Sequence, residues 1–281
     1  GATATVHSTS AGFLYLTAIT GTFQVAEAIT GSVDGVGVVD ALPVLVAPGI
    51  TGIASDRLSY VWAYKQRIWF IERDSLNAWY MPVDQVGGTA VVLPLGGVFN
   101  RGGSLLWGQT WSLDSGGDGG LSEQNVFTTT EGEVAAYQGL SPDDAATWSK
   151  VGVYRIGRPM GKKAFIRAGG DLVVATSIGF IPLGKAIQRD YAALGMIAVS
   201  QPIADEWRRA VGERGMDNWQ CELWGEGSMT IISPPTPADQ APVVFVANSD
   251  NGAWAQFTGW QPSSMEVFQG RIFFGSIAGK V

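Results

Sequence analysis

The sequence has very little of what most enzyme active sites are built from. It contains one histidine, His7, and one cysteine, Cys221, in 281 residues. A zinc site of the usual kind needs several such ligands, and a single cysteine excludes an intrachain disulfide. Catalysis of the Ser–His–Asp or Cys–His type would depend on His7, which no Gly-x-Ser-x-Gly nucleophile motif accompanies. We therefore interpret Cys221 as a small buried hydrophobe and assign no catalytic, cofactor-binding or metal-binding residue.

Charged residues are also scarce, and their balance is acidic. They make up 15% of the chain, the formal net charge is −7, and the sequence pI is about 4.7. A nucleic-acid-binding protein usually carries a basic face, and no cluster of Lys and Arg appears here. An acidic surface repels a DNA backbone, which suits a conduit through which DNA slides without sticking. No apolar run approaches the length of a membrane span, so we expect no membrane insertion.

The residues that are abundant favour a mainly β protein. The chain has 38 Gly and 11 Trp, and 46% of its residues are hydrophobic. Low charge with many Gly, Thr, Val and Trp is typical of strands and turns rather than of a helical bundle. This length can bury the core of one large or two modest domains.

A paired-strand pattern recurs along the chain with different residues each time. Each copy has an apolar, β-branched or aromatic run, then a short Gly or Asx turn, then a second run, as in a β-hairpin. Hairpins repeated at intervals of a few tens of residues predict a propeller-like array. The copies are residues 66–82, 125–137, 171–183 and 271–281.

Two stretches between these hairpins predict short helices. Residues Lys185 to Leu194 form one candidate, and Pro202 to Arg214 form a clearer one. For the second, Ser200 is the predicted N-cap, and Asp205 and Glu206 lie in the first turn. One face carries an apolar stripe, which we expect to pack against the sheets, with partner binding as the alternative. The stripe consists of Ile203, Trp207, Ala210 and Val211.

We expect two parts in the chain. Residues 1–55 are predicted to be an irregular, β-rich N-terminal segment, and residues 56–281 a propeller-like β domain with a helical insertion near 185–214. The chain opens on Gly1 rather than Met and stops on Val281 within strand-like sequence, so we expect a fragment of a longer or processed polypeptide.

One segment resembles a known turn motif. Residues Ser141 to Trp148 are similar to the Asp-box of sialidase-type propellers, Ser-x-Asp-x-Gly-x-Thr-Trp, but Ala145 stands where the motif has Gly. In that motif the Asp side chain holds the loop and the Trp packs inward. The resemblance therefore favours a structural hairpin over a glycosidase, which needs a pair of carboxylates at one cleft.

Three other features suggest sites only weakly. Asp114 and Asp118 lie in a Gly-rich loop without the alternating ligands of an EF-hand. Gly87-Gly88 and Gly102-Gly103 do not open helices and lack the Gly-Lys-Ser/Thr element of a phosphate loop. The tryptophans mostly lie in or beside strands, and they could pack in cores, bind sugars or form a subunit interface. Those considered are Trp62, Trp69, Trp79, Trp107, Trp111, Trp148, Trp219, Trp224, Trp254 and Trp260.

The block from Tyr64 to Gly161 resembles the tail nozzle proteins of short-tailed bacteriophages, also called tail tubular protein B. The similarity continues into residues 170–174. The resemblance implies a β-propeller-containing subunit in a six-fold ring below the adaptor ring and portal, with fibres or spikes attached nearby. The segments that carry it include residues 65–70, 79–80, 87–88, 93–96, 102–105, 131–139, 148–154 and 156–161.

We therefore predict a structural virion protein that is not an enzyme. It would form a homo-hexameric tail ring, assembled in the host cytoplasm, that retains and channels phage DNA with only passive contact in the lumen. The alternatives are a glycan-binding propeller or tail-associated receptor-binding protein and, third, a glycosidase.

Overall fold

The computed structural model describes residues 49–114, 121–144, 146–276 and 279, together with four strands nearer the N-terminus. The chain divides into two compact units, residues 1–48 and residues 49–281. In the first unit the described strands form two antiparallel pairs, β1 with β2 and β3 with β4. These strands are β1 (Thr3–Ser10), β2 (Phe13–Thr20), β3 (Ala28–Thr30) and β4 (Val36–Val38).

The protein is mainly β, as the composition predicts, with 47% strand and 13% helix. In the second unit the strands are β5 (Ile50–Thr51), β6 (Leu58–Tyr64), β7 (Arg67–Glu72), β8 (Asn77–Tyr80), β9 (Gly88–Thr89), β10 (Val91–Pro94), β11 (Leu105–Asp114), β12 (Leu121–Thr129), β13 (Glu133–Gln138), β14 (Ser149–Arg155), β15 (Phe165–Ala168), β16 (Asp171–Ala175), β17 (Phe180–Pro182), β18 (Gln220–Trp224), β19 (Met229–Ser233), β20 (Val243–Asn248), β21 (Trp254–Thr258), β22 (Pro262–Phe268) and β23 (Arg271–Ser276).

Each main sheet of this unit comes from one consecutive stretch of chain. The first sheet has the order β10-β8-β7-β6, the second β11-β12-β13-β14, the third β15-β16-β17, the fourth β18-β19-β20-β21 and the fifth β22-β23. All of these pairings are antiparallel, whereas the short strands β5 and β9 pair in parallel. The sheets formed by the described residues close into neither a barrel nor a propeller.

Three of the four predicted hairpins are confirmed, as β7–β8, β12–β13 and β16–β17. In the β12–β13 turn, Gly132 has φ 79°, which an L side chain adopts only with strain, so the sequence needs Gly there. In the fourth segment, Arg271–Ser276 is a strand, but it pairs with β22 before it. The second run of that predicted hairpin lies outside the described residues.

Consecutive sheets pack face to face through their apolar side chains. Because successive side chains of a strand point to opposite faces, the second sheet can serve two cores at once. Phe127 and Ala135 join the core shared with the first sheet, whereas Val126 and Val134 join the core shared with the third. All four side chains are fully buried. The second sheet is therefore the middle layer of a stack.

The stack continues along the chain in the same way. Val173 and Ala175 of the third sheet pack with Ile232 and Phe245 of the fourth. On its other face the fourth sheet packs against Met265 of the fifth. Sequence order is thus also the order of layers.

The predicted helical insertion is present, with two differences. Residues 185–194 do not form one helix; α1 (Leu183–Ala186) and α2 (Leu194–Ile197) flank a segment that includes a 3₁₀ turn. The second predicted helix is present as α3 (Ala204–Arg214), which follows a 3₁₀ turn at Gln201–Ile203. Ser200 is not a side-chain cap, because its Oγ accepts the N–H of Phe180 at 3.0 Å instead.

The apolar stripe of α3 packs against the sheets, as predicted. Trp207 is 1% exposed, and its Nε1 donates to the carbonyl of Thr176 at 3.0 Å. Ala210 is buried in the same core as Phe245 and Trp219. The stripe therefore serves the core that joins the third and fourth sheets.

Candidate functional site

The Asp-box-like turn is held by a different carboxylate from the one that the motif predicts. Asp144, one position after the motif Asp, accepts the backbone N–H of Ala146 at 2.9 Å and the hydroxyl of Thr147 at 3.0 Å. The Asp144 carbonyl also accepts the N–H of Trp148. The Trp packs inward as predicted, stacked on Trp69 with ring centroids 5.7 Å apart. This turn is structural.

The motif Asp, Asp143, instead connects the turn to the first sheet. The hydroxyl of Tyr80 donates to Asp143 Oδ1 at 2.5 Å, and Ser141 Oγ donates to Asp143 Oδ2 at 3.2 Å. Burial, then the hydrogen bond and the negative charge of Asp143, raise the pKa of Tyr80 above its ordinary value. Burial and Asp143 together therefore favour the protonated hydroxyl, which donates to the carboxylate.

Arg67 completes this contact between sheets. Its Nη1 donates to the Met81 carbonyl at 3.1 Å and its Nη2 to Ser141 Oγ at 2.9 Å. The guanidinium also lies 5.5 Å from the centre of the Tyr80 ring. We call Arg67, Tyr80, Ser141 and Asp143 the polar clamp. Both carboxylates of the turn are engaged in holding loops, which favours a structural role for them over general acid–base chemistry.

A second set of contacts joins the sheets along one edge. The strands β6, β11, β15, β18 and β22 are each the first and the outermost strand of their sheet. An outermost strand presents backbone groups that no neighbouring strand pairs. Side chains of other sheets donate to several of these carbonyls, and we call this set the first-strand seam. Its bonds are Thr110 Oγ1 to Ala63 O at 2.7 Å, Arg167 Nη2 to Thr110 O at 3.0 Å, Lys162 Nζ to Ser59 O at 3.1 Å and Gln220 Nε2 to Ser263 O at 2.5 Å.

The seam changes character at the last two sheets, where two carboxylates face each other. Burial raises the pKa of Glu222 on β18, and the negative charge of Glu266 on β22 raises it further, while Lys163 opposes the shift. Trp224 Nε1 on β18 donates to the carbonyl of Gly270, in the β22–β23 turn, at 2.8 Å. Hydrogen bonds from Gln220 and Trp224 thus help to attach the fifth sheet, while the negative charge of Glu266 disfavours ionisation of Glu222.

The other residues that the sequence singles out do not converge on a site. Cys221 is free and 7% exposed, and burial raises the pKa of its thiol strongly, so it stays a neutral thiol, as interpreted. The side chain of His7 lies outside the described residues, as do the side chain of Asp114, which ends β11, and the loop 115–120 that contains Asp118. Gly88 lies in β9 and Gly103 lies just before β11, so both glycine pairs lead into strands and not into helices.

All eleven tryptophans are in the described part of the chain, and none of them is exposed there. Six are buried and five are partly buried. Among the residues whose burial the structure describes, the most exposed aromatic side chains are Phe268 at 61% and Phe273 at 44%, both on the fifth sheet. The buried tryptophans are Trp62, Trp69, Trp107, Trp111, Trp207 and Trp219, and the partly buried ones are Trp79, Trp148, Trp224, Trp254 and Trp260.

A small cleft lies beside α3, with a volume of about 80 Å³. Ligand pockets usually have roughly 300–1,000 Å³, so this cleft is too small for a typical ligand. Its lining includes Glu206, Arg209, Glu213 and Arg214, two charges of each sign. In the described residues no group of three or more His, Cys, Asp or Glu side chains is arranged to hold a metal ion. No described helix is both long enough and apolar enough to span a membrane.

The polar clamp and the seam were not predicted from the sequence. Their partners are far apart in the chain: 63 residues separate Tyr80 from Asp143, and 103 residues separate Lys162 from Ser59. No local pattern encodes such pairs. The one available signal was the presence of Arg67 and Arg167 within strands, where a cation usually has a partner.

A scan against protein-family models finds no match to the chain, and a search of curated protein sequences finds none either. The resemblance to phage tail nozzle proteins therefore stays a prediction.

Proposed function

We propose that this chain is a structural subunit of the tail nozzle of a short-tailed bacteriophage, in which it forms a homo-hexameric ring around the DNA exit channel. The observation that carries the proposal is the serial stack, in which each sheet comes from one stretch of chain and packs on the next. Such a stack is a rigid spacer, which is what a tube subunit requires. The resemblance of residues 64–161 to tail nozzle proteins, itself a prediction, is what suggests the phage-tail context.

We further propose that the sheets are arranged as the blades of a propeller-like array. The seam supports this arrangement, because Lys162, just before the third sheet, donates to Ser59 of the first sheet. The start of the third sheet thus lies within one lysine side chain of β6, and Arg167 on β15 reaches Thr110 on β11, so the first strands of the three sheets lie near one another. Convergence of first strands is typical of blades around an axis.

The mechanism is geometric and electrostatic. A rigid β framework would hold loops toward the lumen, and the net charge of −7 would keep DNA from adhering during ejection. The adaptor protein would bind one end of the ring, and fibres or spikes would attach nearby. The protein would be part of the virion and would have no catalytic role.

Two experiments test this proposal. Portal, adaptor and fibre genes next to the coding sequence would support it, and a neighbourhood without any virion genes would count against it. Purified protein mixed with duplex DNA at low salt should show no salt-dependent binding, because its net charge of −7 repels the phosphate backbone. Tight binding that weakens steeply with salt would contradict a non-adhesive channel.

A glycan-binding or receptor-binding protein is the second candidate. The exposed pair Phe268 and Phe273, with ring centroids 6.4 Å apart, is the observation that favours it. Exposed aromatic rings can stack on sugar faces. A glycan-array signal that disappears on Phe268→Ala and Phe273→Ala would support this candidate, and the absence of any signal would remove it.

A further inference from the structure

Two surfaces of the second unit carry apolar side chains together with charges of opposite sign. The first surface lies on the loops that follow β8 and β13, and we call it the acidic rim. Val83, Val86 and Leu140 there are 44%, 64% and 62% exposed. Three exposed carboxylates accompany these apolar side chains, those of Asp84, Asp143 and Asp144.

The acidic rim is one continuous, built surface. Arg67 hydrogen-bonds to both loops, at Met81 and at Ser141, so it holds them side by side. The N–H of Asp84 donates to the carbonyl of Gln66 at 2.9 Å, which fixes the first loop on the β6–β7 turn. Asp84 has φ 57°, an unusual backbone conformation for a residue other than glycine. Arg67 is the one cation within the rim; nearby Lys65 is paired with Glu123.

The second surface lies on the helical insertion, and we call it the basic helical face. Met196 is 78% exposed and Val199 is 42% exposed. Lys185 and Arg189 are exposed, and neither forms an ion pair with a described residue. The Arg155 guanidinium adds a third cation, held 3.4 Å from the centre of the Tyr191 ring. Asp190 is an exposed carboxylate in the same segment, and Asp171 accepts the N–H of Gly184 beside Lys185.

We infer that the acidic rim of one copy of this chain docks on the basic helical face of the next copy. Each surface has charges that form no ion pair with a described residue of the same chain, and each has exposed apolar side chains that would be buried on contact. Because the two surfaces are different, the contact is head to tail, and such contacts generate a ring when the rotation closes. The inference rests on the proposed ring and names the surfaces that would form it.

Charge reversal tests the inference. Asp84→Lys places a cation opposite Arg189 and Lys185, and Arg189→Glu places a carboxylate opposite the acidic rim. We expect each variant to weaken self-association of the full chain by about tenfold or more, measured by light scattering over a concentration series. The double variant should restore association, because the two new charges are again opposite. Asp250→Lys, an exposed reversal in the β20–β21 turn, is the matched control and should change nothing.

A second pair of variants distinguishes a lost contact from a folding defect, because the positive φ of Asp84 disfavours lysine at that position. Leu140→Lys on the rim and Met196→Glu on the helical face should have the same effect, with an unchanged circular dichroism spectrum. If the parent assembles and both single reversals assemble equally well, or the double variant stays dissociated, the inference fails while the ring stands. If the parent itself remains monomeric at all concentrations, the proposed ring fails and the inference fails with it.

Discussion

Lys162, just before the third sheet, donates a hydrogen bond from its Nζ to the carbonyl of Ser59 in the first sheet at 3.1 Å. Arg167 makes a similar bond from the third sheet to Thr110 of the second sheet. Together these two cations hold three sheets along one edge. The contacts explain how consecutive meanders become a single framework.

Removing both seam cations should lower stability modestly. We expect Lys162→Met with Arg167→Met to cost about 1–2 kcal/mol of unfolding free energy, because two partly solvated hydrogen bonds are lost while the aliphatic stems remain. That loss corresponds to a decrease in Tm of roughly 2–8 °C for a chain of this size. Lys150→Met, which removes an exposed cation with no described hydrogen bond, is the control. Equal Tm values for the double variant and the Lys150→Met control would show that these two seam hydrogen bonds contribute no stability.

The carboxylate pair at the fifth sheet should make stability depend on pH. Because the native pKa of Glu222 is raised from 4.5, the folded state binds its proton more tightly than the unfolded state does. The resulting loss of folded-state stability is absent below pH 4.5, grows as pH rises from 4.5 toward the native pKa, and reaches its full size above the native pKa. Glu222→Gln should therefore raise Tm at pH 7 and leave it unchanged at pH 4. A variant with lower Tm at pH 7 would show that the charge of Glu222 is stabilising.

The hydroxyl of Tyr80 should stabilise the contact between the first two sheets. Tyr80→Phe removes the donor to Asp143, and we expect a loss of about 1 kcal/mol, since the carboxylate stays exposed and can recover a water partner. Tyr154→Phe is the control, because no described hydrogen bond involves that hydroxyl. In a double-mutant cycle with Ser141→Ala, a coupling energy near zero would mean that the polar clamp does not act as a unit.

A substitution in the β6–β7 turn should increase the stability of the protein. Lys65 and Gln66 have φ of 46° and 57°, values that suit the two central positions of a type I′ turn but favour Asn and Gly. Gln66→Gly should raise the unfolding free energy by about 0.5–1 kcal/mol, and the β-branched Gln66→Val should lower it. Urea unfolding measures both changes. The same sign of change for both variants would contradict strain at this position.

Local chemistry explains which elements the sequence predicts well. The β12–β13 hairpin follows from its Glu131-Gly132 turn, and α3 follows from the spacing of its Trp207 stripe. By contrast, the pairing of β22 with β23 was missed, because Pro262 and the serines after it are unusual in a strand. The helix predicted over residues 185–194 is interrupted because Asp190 has an extended backbone before the 3₁₀ turn at Tyr191–Ala193.

The candidate site was less predictable than the fold, for a physical reason. The turn at Ser141–Trp148 was recognised, yet its neighbouring carboxylates exchange roles: Asp144 holds the turn and Asp143 reaches Tyr80. Only the tertiary arrangement decides between two adjacent carboxylates. The seam likewise depends on the order in which sheets stack, which no short stretch of sequence specifies.

The mass and shape of the purified full chain test the central claim most directly. Native mass spectrometry together with electron microscopy should show a closed ring of six copies with an open central channel. A stable monomer at every concentration, with no ring-shaped particles, would contradict a tail nozzle subunit.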